Sequence, residues 1–249
     1  MAFRVIARLD VKPPHLVKGI HLEGLRRIGN PREFAVRYYA QGADEISYQD
    51  IVASLYGRNS IVDLVSSTCQ QTFVPLTVGG GIRTADDAGR LLRNGADKIC
   101  VNTAAIAEPS LIGAIANEYG SQAVVVGIEA KRHDAGWLAM TDCGREHTNK
   151  NVIQWAVEVE RSGAGEILLT SIDHEGTMRG FDLDLINAVR QHVNIPLVAH
   201  GGLKDPLDAV RAFNVGADAV AVAAALHSES TTIGEIKECL RLSGVEIRP

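Results

Sequence analysis

Short apolar runs rich in Val, Ile and Leu alternate along this chain with segments whose apolar residues recur at helical spacing. The apolar runs at 4–10, 44–50, 76–79, 98–102, 123–129, 166–171, 197–200 and 219–223 predict strands. The periodic segments at 31–42, 59–73, 84–94, 108–119, 152–162, 182–192, 206–214 and 232–242 predict helices, the first opened by Asn30-Pro31. Strand followed by helix, eight times over, predicts parallel strands closed into a (β/α)8 barrel.

The pattern is also doubled. PLTVGGGIRTADDAGRLLRNGADKICVNTAA at 75–105 recurs, diverged but without a gap, as PLVAHGGLKDPLDAVRAFNVGADAVAVAAAL at 196–226. The same relation links VIARLDVK at 5–12 with VVVGIEAK at 124–131, so that Asp10 faces Glu129 and Lys12 faces Lys131, and ADEI at 43–46 with AGEI at 164–167. Two half-barrels, about 1–121 and 122–249, therefore make up one expected domain.

Composition narrows the class. A chain of 249 residues that is 46% hydrophobic can fill one such barrel. It holds no run of roughly 18 apolar residues, and Met1 falls almost on the first strand, leaving no room for a signal peptide; a soluble, cytoplasmic protein is expected. A net charge of −5 and a pI near 5.9 argue against nucleic acid as partner. Cys69, Cys100, Cys143 and Cys239 are widely spaced, with no Cys-x-x-Cys pair, and read as buried thiols rather than a disulfide framework or a zinc site.

Catalytic groups of such barrels gather at the C-terminal ends of the strands. Asp10, Asp50, Gly81, Asn102, Glu129, Asp173 and Gly202 all fall there. Gly79-Gly80-Gly81 and Gly201-Gly202 each follow a strand, and glycine amides at the start of a helix suit an anion, so two phosphate sites are expected, one per half. Asp10 and Glu129, on strands one and five, face each other across the mouth and can divide general acid and general base work. The twenty residues between the first strand and the first helix read as a lid carrying Lys12, Lys18, Arg26 and Arg27, either over an anionic substrate or as a solvated loop. A small hairpin is expected within 131–148, with turns at Ala135-Gly136 and Cys143-Gly144.

RVIARLDVK, DIVAS, LTVGGGIR, GADKICVNTAA, GSQAVVVGIEAKR, GAGEILLTSIDHEGT and VGADAVAVAAALH together resemble the cyclase subunits of imidazole glycerol phosphate synthase, over essentially the whole chain. The resemblance implies a substrate with a phosphate at each end, a ribulosyl aminoimidazole-carboxamide ribonucleotide. Ammonia attacks it to give imidazole glycerol phosphate and the aminoimidazole-carboxamide ribonucleotide. It implies Asp10 and Glu129 as the catalytic pair, and Lys18, Asp50, Asp173 and Gly176 as substrate contacts. Gly81, Asn102 and Thr103 correspond to one phosphate site, and Gly202, Ala223 and Ala224 to the other. It further implies a gate of Arg4, Glu45, Lys98 and Glu166 on the opposite face, through which a glutamine amidotransferase partner in a heterodimer delivers ammonia. No metal and no cofactor is called for.

The departures from that pattern sit at the mouth. Glu129 stands where the family has aspartate, moving the carboxylate by about 1.5 Å, and a misplacement of that order can cost about 10²-fold in rate. Arg8 replaces a cysteine, His200 a serine, Glu175 a shorter acid and Ala224 a phosphate-binding serine, and Pro13-Pro14 stiffen the lid; the four gate positions are unchanged. That asymmetry motivates a second reading, a paralogue that passes ammonia to a sugar nucleotide in surface polysaccharide synthesis. A third is a non-catalytic barrel that docks a glutaminase.

Overall fold

The computed structural model describes residues 2–53, 61–134 and 136–248. In chain order it runs β1 (Arg4–Lys12), β2 (His15–Ile20), β3 (Glu23–Gly29), α1 (Pro31–Ala40), β4 (Glu45–Asp50), α2 (Val62–Cys69), β5 (Leu76–Gly79), α3 (Ala85–Arg93), β6 (Lys98–Val101), α4 (Thr103–Ala107) and α5 (Ser110–Tyr119). It continues with β7 (Val124–His133), β8 (Gly136–Thr141), β9 (Glu146–Asn151), α6 (Val152–Arg161), β10 (Glu166–Ser171), α7 (Leu183–Arg190), β11 (Leu197–His200), α8 (Leu207–Asn214), β12 (Ala219–Val222), α9 (Ala224–His227) and α10 (Ile233–Leu242).

Strands β1, β4, β5, β6, β7, β10, β11 and β12 pair in parallel with their neighbours, and β10 closes the ring against β7. The fold is thus the predicted (β/α)8 barrel. Alternation along each strand separates two apolar layers. Val5, Ala7 and Leu9 of β1 join the large core between sheet and helices, whereas Ile6 joins Cys100, Val125, Leu168, Val198, Ala219 and Ala221 in a smaller cluster inside the bore. Among the described residues no helix is long and apolar enough to cross a membrane.

Local signals explain the helix-to-strand joints. Gly42, Gly95 and Gly216 take φ of +88°, +108° and +100° after their helices, the left-handed conformation that favours glycine. The aspartate two residues on then accepts the amide of a neighbouring strand: Asp44 from Val5 at 2.7 Å, Asp97 from Leu76 at 2.8 Å and Asp218 from Leu197 at 2.9 Å. The fourth such joint carries Gly165, where a Cβ would lie 2.1 Å from the Ser121 carbonyl oxygen. Helix starts follow the sequence as well. Asn30 caps α1 ahead of Pro31, and Thr84 with Asp87 forms a capping box on α3.

The main difference from expectation lies between β1 and α1. The predicted lid loop is an antiparallel ribbon, with β2 paired to the end of β1 and β3 paired to β2. Pro13-Pro14 break the alternation that would have revealed it, and His21, Leu22 and Gly24 turn the chain with positive φ. Leu16 and Val17 are buried, while Arg26 and Arg27 are exposed. The expected hairpin at 131–148 is present as β7 extended into β8 and β9, with Cys143 and Gly144 at positive φ in the turn; Ala135 lies outside the described residues. A ribbon thus rises from β1 and another from β7, the two strands that the sequence repeat aligns. Helix α2 spans Val62–Cys69, shorter than predicted, and positions 59 and 60 of that prediction lie outside the described residues. The short α4 and α9 were not foreseen. Of the four free cysteines, Cys100 alone is fully buried; the others are half-buried.

Candidate active site

At the top of the bore, Asp10 is 1% exposed and both its carboxylate oxygens are taken. Arg8 Nε donates to Oδ1 at 2.9 Å and Lys18 Nζ to Oδ2 at 3.1 Å. Arg8 reaches on across the bore, where Nη1 donates to Thr170 Oγ1 at 3.2 Å, and Lys18 also pairs with the fully buried Glu175. Glu175 in turn holds the ribbon, accepting the Leu22 amide at 2.8 Å through Oε2 and the His21 amide at 2.9 Å through its carbonyl. Burial opposes the charge on Asp10, but Arg8 and Lys18 outweigh it and hold the carboxyl well below the usual carboxylate range.

Glu129 is the opposite case. Burial pushes its carboxyl up to about 7, against the pull of Arg8 and of the Gly144 amide, which donates to Oε2 at 2.9 Å. One carboxylate is therefore committed as an anion and the other is poised to exchange a proton near neutrality. Thr170, Gly144 and Glu175 complete this pair, and none of them was singled out as a site residue from sequence. Thr170 and Gly144 become partners only through cross-barrel and ribbon packing; Glu175 stood out only as a departure.

The two glycine loops share one backbone. Gly80 and Gly81 take φ of +103° and +72°, Gly201 and Gly202 of +99° and +105°. A Cβ on Gly80 would stand 2.2 Å from the Asp50 carbonyl oxygen, and one on Gly201 2.7 Å from that of Ser171. Asn102 and Ala223 open α4 and α9 with nearly the same angles, −132° and −83° against −129° and −80°. Gly81, Asn102, Thr103, Asp50 and Glu129 line one cavity of about 420 Å³, with Arg8 and Cys100 also lining it. Gly202, Ala223, Ala224 and Gly176 line a void of only about 10 Å³, together with His200 and Glu175. Asp50 Oδ1 accepts the Val52 amide at 3.1 Å, and burial raises its pKa. Asp173 lines neither cavity: its Oδ2 accepts the Arg132 amide at 2.7 Å and braces the β7 ribbon.

At the other end of the bore, four charges close a ring. Arg4 donates to Glu45 at 3.2 Å and to Glu166 at 2.7 Å; Lys98 Nζ reaches Glu45 at 2.7 Å and Glu166 at 3.3 Å. Thr77 Oγ1 also donates to Glu45. Between this ring and Arg8 lies the bore cluster of Ile6, Val125, Leu168, Val198 and Ala219, which offers no side-chain charge.

Residues 4–232 match the family model described as histidine biosynthesis protein. The chain belongs to that family. The imidazole glycerol phosphate synthase subunit HisF of Legionella pneumophila is 60% identical over 201 residues, covering 80% of this chain and 95% of the relative. Its counterpart in Myxococcus xanthus is 48% identical over 246 residues, covering 98% and 97%. That of Bifidobacterium adolescentis is 46% identical over 254, covering 100% and 99%.

Proposed function

We propose that this chain is the cyclase subunit of a cytoplasmic imidazole glycerol phosphate synthase. It takes ammonia from a glutamine amidotransferase and uses it on a bisphosphorylated ribulosyl aminoimidazole-carboxamide ribonucleotide. The observation that carries the reading is the axial order inside the bore: a charged ring at the foot, an uncharged lining above it, and two acids of opposite protonation habit at the mouth. Ammonia is mostly ammonium in water, so a dry passage preserves the neutral nucleophile. As its nitrogen bonds to the substrate carbonyl carbon, the π pair moves to oxygen. Glu129 is the group suited to give that oxygen a proton, while the Asp10 anion balances positive charge on nitrogen. The amides of the Gly80-Gly81 loop hold one terminal phosphate; the other sits in a groove of about 570 Å³ lined by Lys18, Gly176 and Ala224, where Lys18 neutralises it while it ties the ribbon down.

The name carried by the relatives supports this acceptor. A second reading rests on Arg8, Glu129, His200, Glu175 and Ala224, which depart from the family pattern only at the mouth: the same ammonia delivered to a sugar nucleotide. The test is turnover of the bisphosphate with ammonium salt at alkaline pH, read as imidazole glycerol phosphate. Product formation upholds the first reading; none, with amidination of a sugar nucleotide instead, upholds the second. Lys98→Ala should lower glutamine-dependent synthesis with the partner more than ammonium-dependent synthesis, and equal loss would reduce the ring to a stabilising role.

A further inference from the structure

On β11 the inward positions are Val198 and then His200, so the imidazole stands immediately above the uncharged lining. His200 is 4% exposed. Its Nδ1 lies 2.9 Å from the Ala221 carbonyl oxygen, which can only accept; Nδ1 therefore carries the hydrogen and Nε2 presents a lone pair. That Nε2 is buried and has no partner among the described residues. An unmet buried acceptor costs about 1–3 kcal/mol, and the neighbouring cations do not relieve it: Arg8 is turned to Asp10 and Thr170, and Lys18 to Asp10 and Glu175.

Free volume beside this residue has a definite size. The void His200 lines holds about 10 Å³, room for one hydroxyl or water oxygen. Gly176, Met178 and Ala224 line both this void and a neighbouring groove of about 570 Å³, which also carries Lys18, Arg26 and one acid, Glu23. A ligand whose anionic end occupies this groove, where Lys18 and Arg26 outnumber Glu23, can place an adjacent hydroxyl in the void.

We propose that His200 is a specificity-determining residue: its Nε2 accepts a hydrogen bond from a hydroxyl next to the anionic end of the substrate, so that this side of the mouth selects a phosphorylated polyol over its deoxy counterpart. The proposal rests on the phosphorylated-substrate reading above and adds which group the closed side reads. The charged groups facing the imidazole are Arg8 and Asp10 from β1, Lys18 from β2 and Glu175 from the loop after β10. Burial first, and Arg8 after it, hold the imidazole well below its ordinary pKa, which keeps Nε2 a bare acceptor at neutral pH.

The test compares sn-glycerol 3-phosphate with n-propyl phosphate, which has the same anion and no hydroxyl, by calorimetric titration of the full chain at neutral pH. Wild type should bind the glycerol ester roughly fivefold more tightly. In His200→Phe, which keeps a ring, and in His200→Ala the ratio should fall to about one. A measurement free of any variant runs alongside: the nitrogen-15 shift of His200 Nε2 should move with glycerol phosphate and stay put with propyl phosphate. An unchanged ratio in the variants, or the same shift with both esters, overturns the role of His200 while leaving the anion site standing. Failure of wild type to bind either ester or inorganic phosphate overturns the anion site itself, and this assignment with it.

Discussion

On the β5–β7 side of the mouth, two inward positions, Gly79 and Gly127, carry no side chain; their counterparts in the internal repeat, His200 on β11 and Arg8 on β1, carry an imidazole and a guanidinium. The glycine loops above them have the same backbone, yet one side holds a cavity of about 420 Å³ and the other a void of about 10 Å³. The acids follow the same division. Glu129 borders the open cavity with one amide partner, and desolvation dominates its titration; Asp10 sits on the filled side, where two cations impose the charge. A repeated backbone thus sets position, and the side chains that fill or vacate the bore set chemistry.

The sharpest way to break this contrast is to neutralise each acid. Asp10→Asn and Glu129→Gln should each lower ammonium-dependent turnover by about 10²-fold or more, measured as kcat on the bisphosphate. Their stabilities should part company. Asp10→Asn leaves Arg8 and Lys18 short of a buried counter-charge and should lose about 3–5 kcal/mol in urea unfolding. Glu129→Gln removes a carboxyl that burial disfavours as an anion and should be neutral or stabilising above pH 7. Equal destabilisation by both would erase the distinction between the two sides.

Titration of the native protein gives the next largest effect, with opposite signs on the two sides. The folded pKa of Glu129, about 7, lies above its unfolded value near 4.5, so its contribution is present below pH 4.5 and is lost as pH rises through 7. His227, beside the filled side, is lowered to about 4, chiefly by burial, so stability is lost as pH falls from 6.5 through 4. Urea midpoints across this range should fall at both ends, and Glu129→Gln should remove the loss on the alkaline side only.

A smaller effect probes the shared backbone. Gly80→Ala and Gly201→Ala should each cost about 1–3 kcal/mol, with Gly80 the worse because its Cβ meets a carbonyl oxygen at 2.2 Å rather than 2.7 Å. Thermal unfolding reads both. A harmless change at either would mean that the two loops are not built alike.

The barrel was legible because its signals are local and repeated. Eight apolar runs, Asn30 ahead of Pro31 and the recurring Gly-Ala-Asp joints each declare an element within a few residues. The ribbon β2–β3 was not legible, because Pro13-Pro14 interrupt its alternation and its turn uses His21 and Leu22 at positive φ. The bond of Asp173 to the neighbouring ribbon also escaped sequence: its place just beyond a strand end was legible, but that its Oδ2 accepts the Arg132 amide was not.

By itself, then, the sequence determined the fold, the doubling, the strand-end position of Asp10, Glu129 and both glycine loops, and the four charges at the foot, since period and spacing encode which residues share a face and an end. Tertiary structure alone decided that Asp10 is clamped between Arg8 and Lys18 while Glu129 titrates near 7, that one glycine loop stands open and the other nearly closed, and that His200 Nε2 has no partner among the described residues. Those properties depend on desolvation and on contacts between strands far apart in the chain, quantities set only when the barrel closes and brings β1, β7, β10 and β11 around one bore.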